Sequence, residues 1–281
     1  MCDDEIHQFN APTVSRRAFT LSAAALAVMG TPAFAADDVV SKDVTVKTPD
    51  GEADAVLFYP ARGRHPAVLI WTDVFGLRPV FRDMGRRLAA KGYVVLVPNP
   101  FYRSMKATTE PDYSAPDVRK KYFAMMATLT TATTMTDGPA FIAFLDAQPQ
   151  TDTKKKAGVQ GYCMGGFLTF RTAAAVPNRI GGAATFHGAA LVTDQPDSPH
   201  LLIPKTSAQF YCGVATNDDK AQPDAKDKLK AAFAAVSRPA TVEVYDGCDH
   251  GWCVKGSAVY NEAGAEKAWA ELGALYQRTL V

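Results

Sequence analysis

Ala157-Gly158-Val159-Gln160-Gly161-Tyr162-Cys163-Met164-Gly165-Gly166 reads as a strand that turns sharply into a helix. Gly161 and Gly165 lie two residues before and two after Cys163, where a strained strand-to-helix turn needs small residues. Such a turn lifts its middle side chain above the carboxyl edge of a sheet, which places Cys163 as a nucleophile. The helix that starts behind it favours negative charge on the sulfur and presents the Met164 backbone N–H to a developing oxyanion. The serine form, G-x-S-x-G, occurs nowhere in the chain, so Cys163 has no competitor. Taken alone, the turn would also suit a buried structural Cys; the elements and partners around it favour the nucleophile.

Working outward, Val40 to Val46 and Ala53 to Tyr59 alternate around Thr48-Pro49-Asp50-Gly51, an antiparallel hairpin with its turn residues in place. The continuous apolar runs Ala67 to Trp71 and Tyr93 to Val97 suit strands covered on both faces. Between them Val80, Met84 and Leu88 mark a helix over 80–91. The Pro-, Thr- and Ser-rich stretch 98–116 reads as an excursion above the sheet. Helices follow over 118–129 and 137–147, parted by Thr residues that weaken helix near 131. Strands over 180–186, 208–214 and 240–245 alternate with helices over 225–236 and 261–280, the last burying Ala265, Trp269, Leu272 and Tyr276. This order predicts one α/β domain, a mostly parallel sheet with an N-terminal antiparallel hairpin and helices on both faces.

On such a scaffold a nucleophile is followed along the chain by its acid and then its His. Val214-Ala215-Thr216-Asn217-Asp218-Asp219 offers two carboxylates at a strand end; Asp218 comes first, and Asp219 stays open as the alternative. His250 lies in the glycine-flanked stretch Gly247-Cys248-Asp249-His250-Gly251-Trp252 after the last strand. His65 precedes a core strand, His187 precedes the acid and follows a strand end as a candidate pocket residue, and His200 lies in a Pro-rich connection.

The N-terminal segment differs from the rest. Ser15-Arg16-Arg17-Ala18-Phe19, the apolar run Leu21 to Met29 and Ala33-Phe34-Ala35 supply the three parts of a secretory signal. The arginine pair before Phe resembles a twin-arginine signal, which predicts a leader over 1–35, a mature domain over 36–281, and a periplasmic or otherwise exported protein. The apolar run falls short of the roughly 20 residues that span a bilayer, and no membrane span is expected in the mature protein. With 281 residues, 47% hydrophobic, 21% charged and a formal net charge of +1, nothing in the composition recruits nucleic acid. Of five cysteines, Cys2 lies in the leader and Cys212 in an apolar run. Cys248 and Cys253 flank His250, with spacing that permits a local disulfide but makes neither a redox C-x-x-C nor a zinc site.

Gly161-Tyr162-Cys163-Met164-Gly165-Gly166, with Asp218 and His250 behind it, resembles the dienelactone hydrolase family of α/β-hydrolases, whose reference activity is carboxymethylenebutenolide hydrolysis. The resemblance covers about residues 40 to 280 and implies a Cys163–Asp218–His250 triad acting on an ester or lactone, without metal or organic cofactor. It implies three further roles. Asp73 stands where the family commonly has a Glu that modulates the thiol, one methylene shorter here. The Val74 N–H becomes the second oxyanion donor. Arg103, in Pro98-Asn99-Pro100-Phe101-Tyr102-Arg103, grips a substrate carboxylate, so the expected small-molecule substrate is anionic. The family's second substrate arginine is unmatched, with Lys255 one residue late. Two rival readings are a non-catalytic exported binding protein on the same fold and a thiol redox protein using Cys248 and Cys253. An intact Cys–Asp–His order argues against the first, and C-x-x-x-x-C spacing against the second.

Overall fold

The hairpin forms as its pattern requires: β1 (Val39–Thr48) and β2 (Gly51–Pro60) pair antiparallel over their full lengths. Gly51, at φ +135°, closes the turn in a conformation that disfavours a side chain. The computed structural model describes residues 38–107 and 112–280. The expected leader, residues 1–35, lies outside them.

β2 pairs antiparallel with β4 (Val94–Pro98). The remaining strands, β3 (Ala67–Trp71), β5 (Ala157–Tyr162), β6 (Ile180–Phe186), β7 (Gln209–Ala215) and β8 (Ala240–Tyr245), continue the sheet in parallel. The spatial order is β1-β2-β4-β3-β5-β6-β7-β8. The chain therefore winds from β3 outward to β4, then returns to place β5 on the other side of β3. Between the carboxyl ends of β3 and β5 the winding reverses, and in open α/β sheets such a switch point is where ligands bind.

Each central strand is buried on both faces, and its alternate residues feed two cores. Leu69 and Trp71 of β3 join one cluster, and Val68 and Ile70 the other. α3 (Thr131–Asp146), α4 (Gly165–Ala175) and α6 (Ala225–Ala235) cover the first through Phe141, Leu145, Phe170 and Phe233. α2 (Pro116–Met126) adds Tyr122 and Met125 to it. α1 (Pro79–Ala89) and α7 (Glu262–Thr279) cover the second through Phe81, Leu88, Leu272 and Tyr276. A short helix, α5 (Thr216–Ala221), follows β7 directly. Among the described residues no helix is long and apolar enough to cross a membrane.

Two expectations about helices need correction. The Thr-rich stretch starts a helix instead of weakening one. Thr130 is the N-cap of α3 and its side chain accepts from the Thr133 N–H, while Thr133, Thr134 and Thr136 hydroxyls turn back onto carbonyls three or four residues earlier. In α7 the buried stripe centres on Ala268, Leu272, Leu275 and Tyr276. Ala265 and Trp269 sit at its margin, where the Arg87 guanidinium stacks 4.3 Å from the Trp269 ring centre.

Candidate active site

The turn between β5 and α4 is shaped by close backbone approach. A Cβ on Gly165 would lie 2.6 Å from the Trp71 carbonyl oxygen, and one on Gly166 would lie 2.7 Å from the Gly188 Cα. A Cβ on Gly161 would collide with the Gly165 carbonyl. Cys163 itself takes φ +52°, a left-handed conformation that is strained for a residue with a side chain. The geometry is held from both sides. The Cys163 carbonyl accepts from the Gly166 and Ala189 N–H groups, and the Cys163 N–H donates to the Phe186 carbonyl and to His187 Nδ1.

Four more segments converge on this turn, each from the carboxyl end of a parallel strand: Asp73-Val74 after β3, His187 after β6, Asp218 in α5 after β7, and His250 after β8. His250 Nδ1 lies 2.7 Å from Asp218 Oδ2. Asp219 turns away and takes Lys226 at 2.8 Å. The residue just before Asp218, which sequence reading overlooked, also holds the His: Asn217 Oδ1 accepts the His250 backbone N–H at 2.8 Å. Thr216 adds two bonds, from its N–H to the Cys248 carbonyl and from its hydroxyl to the Tyr245 carbonyl. Three consecutive polar residues at a strand end were the signal available for this clamp.

The two imidazoles near the sulfur are driven in opposite directions. Burial lowers the pKa of His250, but hydrogen bonds to Asp218 and Cys163 and the charge on Cys163 outweigh it, raising the value from 6.5 to about 10. His187 is fully buried, and burial together with the neighbouring His250 holds it well below 6.5. The rings stand edge to face with centres 5.0 Å apart. At neutral pH one is an imidazolium and the other is neutral, with Nδ1 free to accept the Cys163 N–H.

Cys163, His250, His187, Asp73 and Val74 all line one open cleft of about 860 Å³. Among the described residues neither the Val74 nor the Met164 backbone N–H donates to another protein group. Asp73 lines the cleft, but both its oxygens are held by Arg78 at 2.6 and 2.7 Å, and it makes no hydrogen bond to Cys163. Its expected management of the thiol proton therefore gives way to an ion pair with Arg78.

Arg103 is a clearer correction. It is absent from the cleft wall, and its guanidinium is committed to the buried Asp137 (2.7 and 2.8 Å) and to Asp50 in the hairpin turn (2.6 and 2.9 Å). Tyr102 donates to the same Asp137. A guanidinium saturated by two carboxylates is a structural rivet and has no fork left for a substrate.

The sequence model of the dienelactone hydrolase family matches residues 53–280. The chain belongs to that family. It is a hydrolase of the ester and lactone type on an α/β-hydrolase fold. Relatives include a carboxymethylenebutenolidase of Rhodococcus opacus, 26% identical over 225 residues that cover 78% of this chain and 83% of that one. Another carboxymethylenebutenolidase, from a Pseudomonas species, is 29% identical over 185 residues, covering 66% and 74% of the two chains. The dienelactone hydrolase of Anabaena variabilis shares the fold with a TM-score of 0.63 at 16% identity, over 87% of this chain and all of that one.

Proposed function

We propose that this family member cleaves a small-molecule ester or lactone through a Cys163–His250–Asp218 triad and an acyl-enzyme intermediate. The observation that carries this reading is the 2.7 Å contact of Asp218 with His250, beside the Cys163 turn in one cleft. Cys163 Sγ attacks the carbonyl carbon, and the carbonyl oxygen, now negative, accepts from the Val74 and Met164 N–H groups. His250 gives its proton to the ester oxygen as the C–O bond breaks, leaving a thioester on Cys163 and an alcohol. In a lactone the alcohol stays tethered to the acyl group. Water then attacks the thioester, losing a proton to His250, and the acid departs as Cys163 sulfur regains its electron pair. Asp218 keeps the imidazole turned with Nε2 toward the sulfur throughout.

Incubating the protein with a slowly hydrolysed ester and digesting it for mass spectrometry tests the reading. An acyl mass on the Cys163 peptide, with no turnover in Cys163→Ala, is the expected result. Unimpaired hydrolysis in Cys163→Ala overturns it. The Arg16-Arg17 pair and the Ala-Phe-Ala site support a second proposal, that the protein is exported and matures at Ala36. Amino-terminal sequencing of the protein from a periplasmic extract should start there; a start at Met1 removes the proposal.

A further inference from the structure

Large apolar side chains exposed to solvent are few among the described residues: Phe123 at 44%, Val259 at 40% and Leu201 at 50%. Two of the three, Phe123 and Val259, lie on the wall of the same cleft as Cys163. On α2 the cleft is lined by Arg119, Phe123 and Met126, spaced i, i+4 and i+7 and therefore on one helical face. Beside them on the same helix, Tyr122 and Met125 are buried in the core. Met126 also packs against the core, whereas Phe123 stays exposed at the cleft wall. Half-buried Phe75 lines the same cleft, its ring centre 4.7 Å from that of Tyr113.

Of the arginines near the site, Arg119 differs from the other two, and Lys255 also lines the cleft. Arg78 is taken by Asp73 and Arg103 by Asp50 and Asp137. Arg119 has no ion pair among the described residues, and its guanidinium lies 5.6 Å from the Phe75 ring centre and 6.0 Å from that of Phe123. It stands where an anion on a ring packed against those two would meet it. The cleft's volume of about 860 Å³ lies high in the range of about 300–1,000 Å³ that encloses drug-sized ligands.

From this wall we infer that the substrate is an ester or lactone bearing an aromatic ring that packs on Phe75, Phe123 and Val259, and a carboxylate that reaches Arg119. This rests on the hydrolase reading above and adds the substrate class. The ring covers apolar surface that the fold leaves wet, and the carboxylate meets the Arg119 guanidinium, which has no ion pair among the described residues. The anion is gripped from α2, not from Arg103.

Three trifluoroethyl esters, the acetate, the 3-phenylpropanoate and the 3-(4-carboxyphenyl)propanoate, share one small leaving group and so isolate the acyl part. The expected order of kcat/KM is acetate, then phenylpropanoate, then carboxyphenylpropanoate, each step about tenfold or more. Phe123→Ala should collapse the first ratio and Arg119→Gln the second, while Leu201→Ala, elsewhere on the surface, should leave both. Either wild-type ratio within about threefold of unity overturns the inference, as does survival of the first ratio in a Phe123→Ala/Val259→Ala double variant. Hydrolysis of the acetate without preference leaves the hydrolase reading standing. Failure to cleave any ester, or equal cleavage by Cys163→Ala, removes that reading and this one with it.

Discussion

Arg103 shows how one side chain can carry a family resemblance and a different task. Its partner Asp137 is 1% exposed, so removing the guanidinium would strand a buried carboxylate that also receives the Tyr102 hydroxyl. Arg103→Ala should therefore lower unfolding free energy by about 3 kcal/mol, read as a shift in denaturant midpoint. The same variant should lose equal, small fractions of activity on esters with and without a carboxylate. A selective loss on the anionic ester would return Arg103 to substrate binding. His187 makes the complementary point: a residue singled out only as a possible pocket wall accepts the nucleophile's own N–H, which requires it to stay neutral.

Elements place the triad by how they end. β5 ends in a turn tight enough that Gly161, Gly165 and Gly166 each meet backbone where a Cβ would go. β7 ends in α5, whose first three residues tie the loop after β8 through Thr216, Asn217 and Asp218. Only the third of these touches the imidazole; the first two fix the loop that carries it. Asn217→Ala leaves the Asp218 carboxylate in place but frees the His250 backbone, so kcat should fall about tenfold with KM largely retained. Unaltered kcat, measured at saturating substrate, would show that Asp218 alone suffices to position the ring.

Across the whole molecule, proton binding at the site feeds back on stability and rate. His250 is raised from 6.5 to about 10 in the folded chain, so it stabilises the fold fully below pH 6.5. That contribution is lost as pH rises toward 10, because the folded state holds a proton the unfolded state has given up. Denaturant midpoints should fall from pH 6.5 to 10, less steeply in Asp218→Asn, which loses the carboxylate that raises the imidazole. The alkaline limb of kcat/KM should lie near the folded value in the wild type and move to lower pH in Asp218→Asn. Coincident limbs in the two proteins would dissociate His250 from the rate.

Sequence alone determined the frame of this protein, because strand burial, turn glycines and chain order are local or additive signals. The hairpin, the run of buried strands, the Gly161–Cys163–Gly165 turn and the position of His250 after the last strand could all be read residue by residue. The open choice between Asp218 and Asp219 was different. Adjacent carboxylates have the same composition and spacing, and only the first turn of α5 directs one to His250 and the other to Lys226. The fates of Asp73 and Arg103 were likewise tertiary, since each depends on which opposite charge the fold brings nearest: Arg78 for one, Asp50 and Asp137 for the other. The i, i+4, i+7 spacing of Arg119, Phe123 and Met126 had a helical period that sequence could show. That these residues face the Cys163 cleft follows from how the helix docks, which no local pattern encodes.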